Sequence, residues 1–160
     1  LKNITKKNIK NLDFIIVLSL LIIDSSDNTE YFLFKFNLSK VEQKRILFLK
    51  EVFSKPIKNE IFTKNNLWKI IYYNGKHSLL DLINFQIFKS KKDEKKLVEL
   101  VNFFKDKLPP KLPIKASFLM SKFNVGEGKH LGLKLKKIEE KWVSNNFKIT
   151  DKEVQDLMVN

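Results

Sequence analysis

Several residue types are scarce in this chain of 160 residues, and each scarcity excludes a kind of site. The chain has no cysteine, which excludes a disulfide framework and fits a reducing compartment. Its two histidines, His77 and His130, lack the spacing of a metal-binding pair such as His-Glu-x-x-His. Arg45 is the sole arginine and Ala116 the sole alanine. Sites built on cysteine or on paired histidines are therefore not indicated.

Carboxylates in a catalytic arrangement are also missing from the sequence. The closest acidic pairs are Asp24/Asp27, beside a serine turn, and Asp93/Glu94, inside a lysine run. Two-metal chemistry needs carboxylates that converge on the ions, and neither pair has that pattern. We therefore interpret both pairs as solvated loop charges.

The abundant charge is positive. The formal net charge is +13 and the pI about 9.8, values that favour binding to polyanions. Nearly all basic residues are lysine, however, and Lys, Asn, Ile and Phe share A/T-rich codons, so mutational bias in an AT-rich genome is an alternative explanation. Aromatic residues do not alternate with the lysines as they would in a platform that stacks single-stranded bases.

Apolar residues recur at helical spacing along most of the chain, which predicts an all-α fold. Pro56 and Asn74-Gly75 act as breaks, and only Tyr31–Phe36 is ambiguous between a helix and an extended segment. Ser39 with Glu42 predicts a capping box, and Ser78 with Asp81 resembles one. The predicted helices are 10–24, 39–53, 65–73, 78–89, 92–106, 117–123, 129–145 and 150–158.

The apolar run Phe14–Ile23 follows four lysines and resembles part of a secretory signal. It is too short to cross a bilayer, which needs about 20 apolar residues, and Asp24-Ser25-Ser26-Asp27 offers no small-x-small cleavage site. We expect a buried helix of a cytoplasmic domain, with no membrane partner. A chain that opens directly on such a helix is also expected to be a piece whose beginning lies elsewhere.

A proline-rich segment divides the chain. Three prolines in five residues disfavour helix, so residues 107–113 are predicted to form a stiff connector. This places a helical body at 1–106, the connector at 107–113 and a helical tail at 114–160. The connector also contains a Pro-x-x-Pro match that an SH3-type domain could bind, but a spacer is the simpler reading.

The tail has the most readable pattern. Asn124 is predicted to end one short helix in the left-handed conformation, and a second helix is predicted to begin near Gly128 or Lys129. Gly132 inside this helix suggests close packing of another backbone. The steps of four, three and four residues predict one buried helical face, which consists of Leu131, Leu135, Ile138 and Trp142.

The glycines of this hinge invite comparison with phosphate-binding loops. A P-loop is excluded because no glycine stands five residues before Gly128 and no Ser or Thr follows Lys129. A dinucleotide fingerprint is excluded because no strand leads into the glycines. A helix-hairpin-helix nucleic-acid module stays open, since Val125-Gly126-Glu127-Gly128 is similar to its turn, although Glu127 places a carboxylate where phosphate would approach.

The segment 112–147 contains a long pattern of fixed residues at fixed spacing. The pattern consists of Pro113, Ile114, Leu119, Met120, Asn124, Val125, Gly128, Leu131, Gly132, Leu135, Ile138, Glu139, Trp142 and Phe147. In these residues the segment resembles the C-terminal end of bacterial tRNA nucleotidyltransferases, the family of CCA-adding enzymes and poly(A) polymerases. Two positions depart from the family pattern, Ala116 for Gly and Phe118 for Asp. Upstream, Leu38–Glu42 and Leu67–Asp81 are similar to shorter steps of the helical body.

The resemblance implies an RNA-binding body and tail without chemistry of its own. Enzymes of this family hold Mg²⁺ on an Asp-x-Asp pair in a head domain, beside a Gly-Gly-x-x-Arg loop, and select the nucleotide in a neck; this chain has none of these motifs. It therefore implies no cofactor here, tRNA or another structured RNA as ligand, and a separately encoded head-and-neck chain as a possible partner. The alternatives are a helical protein-interaction module, or a relic of a split gene with compositional basicity.

The candidate RNA-binding residues are lysines of the tail. If the apolar face of the second tail helix points inward, one stripe of lysines is expected to point outward. Lys122 and Lys129 flank the hinge at the start of that helix, where the helix dipole favours phosphate. The stripe consists of Lys134, Lys137 and Lys141.

Overall fold

The structure, a computed structural model, describes residues 13–23, 29–54, 56, 59–90 and 95–159. Within these ranges the chain forms eight α-helices, one 3₁₀ turn (Asn59–Phe62) and no strand, so the predicted all-α fold is confirmed. The helices are α1 (Phe14–Ile22), α2 (Thr29–Lys35), α3 (Lys40–Phe53), α4 (Lys64–Lys89), α5 (Lys95–Phe104), α6 (Ala116–Phe123), α7 (Lys129–Ser144) and α8 (Asp151–Val159).

The chain divides into two compact units, an N-terminal unit (Leu1–Pro109) and a C-terminal unit (Pro110–Asn160). The division falls between two prolines of the segment 107–113. No residue from 107 to 115 is helical, because proline lacks the N–H that a helix needs and restricts the residue before it.

Helix α4 organises the N-terminal unit. It packs against α1, α3, α5 and the 3₁₀ turn, and its fully buried residues include Leu67, Ile71, Leu82 and Phe85. Burying each such side chain contributes roughly 1.5–3 kcal/mol before conformational entropy is subtracted. The helix is interrupted at Gly75, where φ is 82° and ψ is 168°, values that only glycine adopts readily. The predicted break at Asn74-Gly75 is therefore confirmed.

An ion network connects three helices of this unit. The Nε of Arg45, on α3, donates to Oδ2 of Asp81 on α4 at 2.6 Å, and its Nη2 donates to Oδ1 of Asp81 at 2.8 Å. The same Nη2 donates to Oδ2 of Asp13 at 2.6 Å. Asp13 in turn caps α1, because its Oδ1 accepts from the backbone N–H of Ile15 at 2.9 Å. One guanidinium thus positions the start of α1 against α3 and α4.

The network shifts the acid–base properties of its members. Burial raises the pKa of Asp81, which is 3% exposed, while the hydrogen bonds from Arg45 act in the opposite direction. Hydrogen bonding to Asp81 raises the pKa of Arg45. Partial burial acts to raise the pKa of Asp13, but the hydrogen bonds from Arg45 and the N–H of Ile15 outweigh it and lower that pKa. Since Arg45 stays charged, the network keeps one partly buried cation between two carboxyl groups.

The C-terminal unit consists of α6, α7 and α8 around a small apolar core. That core contains Leu119 from α6, Leu131 and Ile138 from α7, and Val154 and Met158 from α8. Each of these helices contributes one apolar stripe, as the spacing of such residues at three and four positions requires.

The predicted inner face of α7 is confirmed. Leu131, Ile138 and Trp142 are 5%, 0% and 3% exposed, and Leu135 is partly buried against the same core. The ring of Trp142 meets the ring of Phe147 edge-on, with centroids 4.9 Å apart. Aromatic pairs favour this arrangement because the positive ring edge approaches the negative face.

Three local predictions about caps and turns have different outcomes. The capping box is confirmed, because the Ser39 N–H donates to Glu42 Oε2 at 2.8 Å and the Glu42 N–H to Ser39 Oγ at 3.4 Å. The reading of Ser78 as a similar cap is wrong, since α4 resumes directly after Gly75 and Ser78 lies buried inside it. The ambiguous segment Tyr31–Phe36 is helical as far as Lys35.

Candidate nucleic-acid interface

The hinge between α6 and α7 has the backbone conformation that its sequence predicts. Asn124 ends α6 in the left-handed conformation, with φ 50° and ψ 43°. Gly128 precedes α7 with φ 147°, and no side chain caps the helix there. The N–H groups of the first turn have no partner within the helix itself, and residues 126–130 are exposed. The hinge therefore presents the positive end of α7 to solvent.

Gly132 lies one turn into α7, and the close approach predicted for it is wrong. A Cβ added there would meet nothing within 4 Å. The residue follows Leu131 on the helix, and the rotation of about 100° per residue carries it away from the core. The glycine therefore costs helix stability without a packing gain.

Lys122 and Lys129 flank the hinge as expected, and both are exposed. The ammonium of Lys122, in the last turn of α6, lies 5.2 Å from the ring centroid of Phe118 and 5.8 Å from that of Phe123. Such cation–π contacts orient the side chain without neutralising its charge. Lys129 is the first residue of α7.

Lys137 and Lys141 are exposed on α7, but they differ in their surroundings. Lys141 forms an ion pair with Glu153 of α8, with Nζ and Oε1 3.7 Å apart. Glu153 also forms a capping box with Thr150, and the hydrogen bonds from Thr150 lower its pKa. No ion pair involves Lys137 in the part of the chain that the structure describes. Lys137 is therefore the more available of the two for an external anion.

Lys134 is the exception to the expected outer stripe, because it is only 6% exposed. It lies three residues after Leu131 and four before Ile138, and both of these residues belong to the core. Helical geometry therefore places it at the edge of the buried face instead of the outer face. The prediction that Lys134 lies exposed beside Lys137 and Lys141 is wrong.

A groove of about 350 Å³ runs along this side of α7. It brings together two of the sequence-derived candidates, Lys134 and Lys137, while Lys122, Lys129 and Lys141 do not line it. Within it, Lys136 and Glu140 are ion-paired, with Nζ and Oε1 3.9 Å apart. The lining residues are His130, Leu133, Lys134, Lys136, Lys137 and Glu140.

Sequence reasoning missed His130 and Lys136 as parts of this surface. His130 lies four residues before Lys134 and seven before Lys137, a spacing that places all three on one side of a helix. This signal was present in the sequence. The faces of α7 are assigned from its apolar residues, and that assignment does not show which polar residues lie together.

Parts of the sequence-based reading lie outside the described residues, namely the acidic pairs Asp24/Asp27 and Asp93/Glu94. Among the residues that the structure describes, no group of three His, Asp or Glu side chains is placed to hold a metal ion. No helix in those ranges is both long enough and apolar enough to cross a membrane.

Comparison with known proteins does not assign the chain to a family. It matches no protein-family model, no curated protein and no solved structure. The features that bear on function are therefore the geometry of the C-terminal unit and the sequence pattern of the segment 112–147.

Proposed function

We propose that the chain binds structured RNA, with tRNA as the first candidate, through the hinge and the exposed side of α7. In this proposal it corresponds to the body and tail of a tRNA nucleotidyltransferase or poly(A) polymerase. The observation that carries the proposal is a set of exposed lysines in one stretch of the C-terminal unit: Lys122 and Lys129 flank the uncapped start of α7, and Lys137 lies about two turns further along that helix.

The conformation of the hinge supports this reading. Several positions of the family-like pattern have a defined structural role: Asn124 is left-handed, Gly128 has a positive φ, and Leu131, Ile138 and Trp142 are buried. The same arrangement leaves backbone N–H groups and the positive helix end directed at solvent, where phosphate is favoured. It also keeps the helix-hairpin-helix alternative open, since that module likewise binds phosphate with backbone N–H groups.

The kind of charge fits shape recognition better than base reading. Lysine presents a compact point charge and suits phosphate contact, whereas base edges are most often read by the planar fork of arginine. The only arginine, Arg45, is held by Asp81 and Asp13 in the N-terminal unit. Double-stranded RNA is recognised mainly through its backbone and shape, and exposed lysines suffice for that task.

The chain contributes binding and no bond-making step in this proposal. Nucleotide addition and its Mg²⁺ belong, in this proposal, to a head and neck that are encoded outside this sequence, with a separate chain as the proposed partner. We place the protein in the cytoplasm, where tRNA is processed. Purified alone, it should add no nucleotide to tRNA from ATP or CTP, with or without Mg²⁺, as measured by radiolabel incorporation against a mock preparation.

The binding proposal is tested with a triple neutralisation of Lys122, Lys129 and Lys137 to Gln. Lys134 is excluded because its burial would mix folding with binding. The affinity for tRNA is measured by filter binding or fluorescence anisotropy between low and physiological salt. We expect the slope of log K against log salt to flatten by about one unit per lost phosphate contact, with an unchanged melting temperature.

A matched control neutralises three exposed lysines of the N-terminal unit, Lys40, Lys44 and Lys95, to the same residue. If both triple variants lose the same affinity, the basicity acts as a uniform property of the whole chain. Equal weak binding to heparin, duplex DNA and tRNA would lead to the same conclusion and favour the compositional explanation over an RNA site. A preference for folded tRNA that only the first triple variant loses would support the proposal.

One observation favours a second function, protein interaction through the N-terminal unit. Large apolar side chains are exposed on α2 and α3, with Phe34 87%, Tyr31 58% and Leu47 41% exposed. Phe34 and Leu47 line the same groove, and exposed apolar side chains gathered in this way are typical of binding surfaces. If a head-and-neck chain is encoded in the same genome, Phe34→Ser should weaken its complex with this protein in size-exclusion chromatography and leave tRNA binding unchanged.

A further inference from the structure

The burial of Lys134 sets it apart from the other lysines of the C-terminal unit. Only 6% of the surface of Lys134 is exposed. Among the described residues, no hydrogen bond, ion pair or aromatic ring engages its ammonium group. An ammonium group on a buried stem that has no ion-pair partner is held in place and is available to an external anion.

The ammonium of Lys134 opens into the groove along α7. In the part of the chain that the structure describes, no fully buried side-chain nitrogen lacks a hydrogen-bond partner. Since the Lys134 ammonium has no such partner, its Nζ must retain contact with the surface, and the surface that Lys134 lines is the groove. The aliphatic stem is therefore buried and the charged end faces the groove.

The other groups of the groove supply more positive charge. Lys137 adds a second ammonium group, and His130 adds an imidazole that can donate a hydrogen bond. Lys136 and the one carboxylate, that of Glu140, form an ion pair and together add no net charge. His130 also lies in the uncapped first turn of α7, near the positive end of the helix dipole. These charges together attract a small anion with several acceptor oxygens.

We infer that this groove binds one phosphate group, through the ammonium groups of Lys134 and Lys137 and the imidazole of His130. The inference rests on the proposed function, in which the phosphate is a phosphodiester of the RNA backbone. Lys134 contributes most to binding, because its packed stem already holds the ammonium in place. Less side-chain entropy is therefore lost when phosphate binds. Lys137 and His130 are exposed and adjust to the remaining oxygens.

The direct test uses inorganic phosphate and the full chain, observed by ¹H–¹⁵N NMR at constant ionic strength with chloride as the reference anion. We expect shifts confined to residues around His130 to Lys137. Lys134→Met keeps the length of the stem and removes the charge, and it should weaken phosphate binding roughly tenfold or more. Lys148→Met, an exposed lysine of the same unit outside the groove, is the matched control and should leave the affinity unchanged.

A second variant guards against a folding defect in Lys134→Met. Lys137→Gln alters an exposed side chain, so its fold is expected to be intact, and it should weaken phosphate binding several-fold. Shifts spread over all lysine-rich surfaces, or equal losses in Lys134→Met and Lys148→Met, would overturn the inference. So would a parent protein in which phosphate and chloride have the same effect.

Binding of tRNA by the same variants separates this inference from the proposed function. If phosphate binds in the groove but tRNA does not bind the protein, the groove stands as a site for a small phosphate compound and the RNA proposal fails. If tRNA binds and Lys134→Met behaves like Lys148→Met in both assays, the RNA proposal stands and the phosphate site fails. Loss of both ligands in Lys134→Met alone supports both.

Discussion

The two units use charge in opposite ways. In the N-terminal unit Arg45, whose side chain is partly buried, is held by two carboxylates, and it connects three helices. In the C-terminal unit the stem of Lys134 is buried, but its ammonium has no carboxylate partner among the described residues and opens into a groove. A charge that is paired across helices orders a fold, whereas an ammonium without a partner is available for a ligand. In our proposals the charge of Arg45 is therefore structural and that of Lys134 binds an anion.

The chain contains two tryptophans, Trp68 in the N-terminal unit and Trp142 in the C-terminal unit. Each can report on its own unit by fluorescence when the other is replaced by Phe. The stabilities of the two units are therefore separately measurable.

The largest expected effect is the loss of the aromatic anchor of the C-terminal unit. Trp142→Ala should cost about 3–5 kcal/mol, because a residue that is 3% exposed leaves a cavity and loses its contact with Phe147. Amide hydrogen exchange in α7 and α8 should accelerate while Trp68 fluorescence reports an unchanged N-terminal unit. Leu133→Ala, at an exposed position of the same helix, is the control. An unchanged midpoint of thermal unfolding in Trp142→Ala would contradict the conclusion that Trp142 stabilises the unit by packing.

Arg45→Met should destabilise the N-terminal unit by about 3–5 kcal/mol, because it leaves the buried carboxylate of Asp81 without its cation. The measurement is urea unfolding followed by Trp68 in a Trp142→Phe background. The double variant Arg45→Met, Asp81→Leu removes both charges and should recover most of the loss. A double variant as unstable as the single one would show that the network acts through packing and not through charge.

Two glycines, one in each unit, should respond to alanine with opposite signs. Gly75→Ala should destabilise the N-terminal unit by about 1–3 kcal/mol, since φ 82° with ψ 168° is strained for any residue with a Cβ. Gly132→Ala should stabilise the C-terminal unit by roughly 0.5–1 kcal/mol, since it lies in a helix with open space around it. Thermal unfolding of each variant checks both, and a loss of stability in Gly132→Ala would mean that this position has a role other than packing.

The smallest expected effect is on how the stability of the C-terminal unit depends on pH. The pKa of Glu153 is lowered from its ordinary 4.5 by hydrogen bonds from Thr150, so its contribution is present above pH 4.5 and is lost as the pH falls through the lowered value. Glu153→Gln should make the stability of the C-terminal unit less dependent on pH in this range. Glu140→Gln on the neighbouring helix is the control. An acid response that the two variants share would assign the effect to net charge.

Local signals in the sequence predicted the helical elements well. The capping box at Ser39 and Glu42, the break at Gly75 and the left-handed Asn124 each depend on residues close in the chain, so a pattern of a few positions determines them. The inner face of α7 was predictable for the same reason. The 3₁₀ turn at Asn59–Phe62 was missed because a single turn has no periodicity to read.

Predictions that needed tertiary information failed. Ser78 has the sequence of a cap but lies inside α4, and nothing local shows that Asp81 pairs with Arg45, 36 residues away. The burial of Lys134 was unpredictable because lysine is rarely buried, and the edge of a helical face depends on what packs beside it. The groove could therefore not be predicted from the sequence, although the sequence does show the helical spacing of His130, Lys134 and Lys137.

The Arg45 network also has a consequence for the rates of folding and unfolding. It joins positions 32 and 36 residues apart in the chain, and its bonds of 2.6–2.8 Å need three segments to be placed accurately. Because these contacts join segments far apart in the chain and need accurate placement, we expect them to form after the folding transition state. Stopped-flow measurements on Arg45→Met should then show nearly unchanged refolding and much faster unfolding. The single arginine would set how long the N-terminal unit stays folded, and not how quickly it forms.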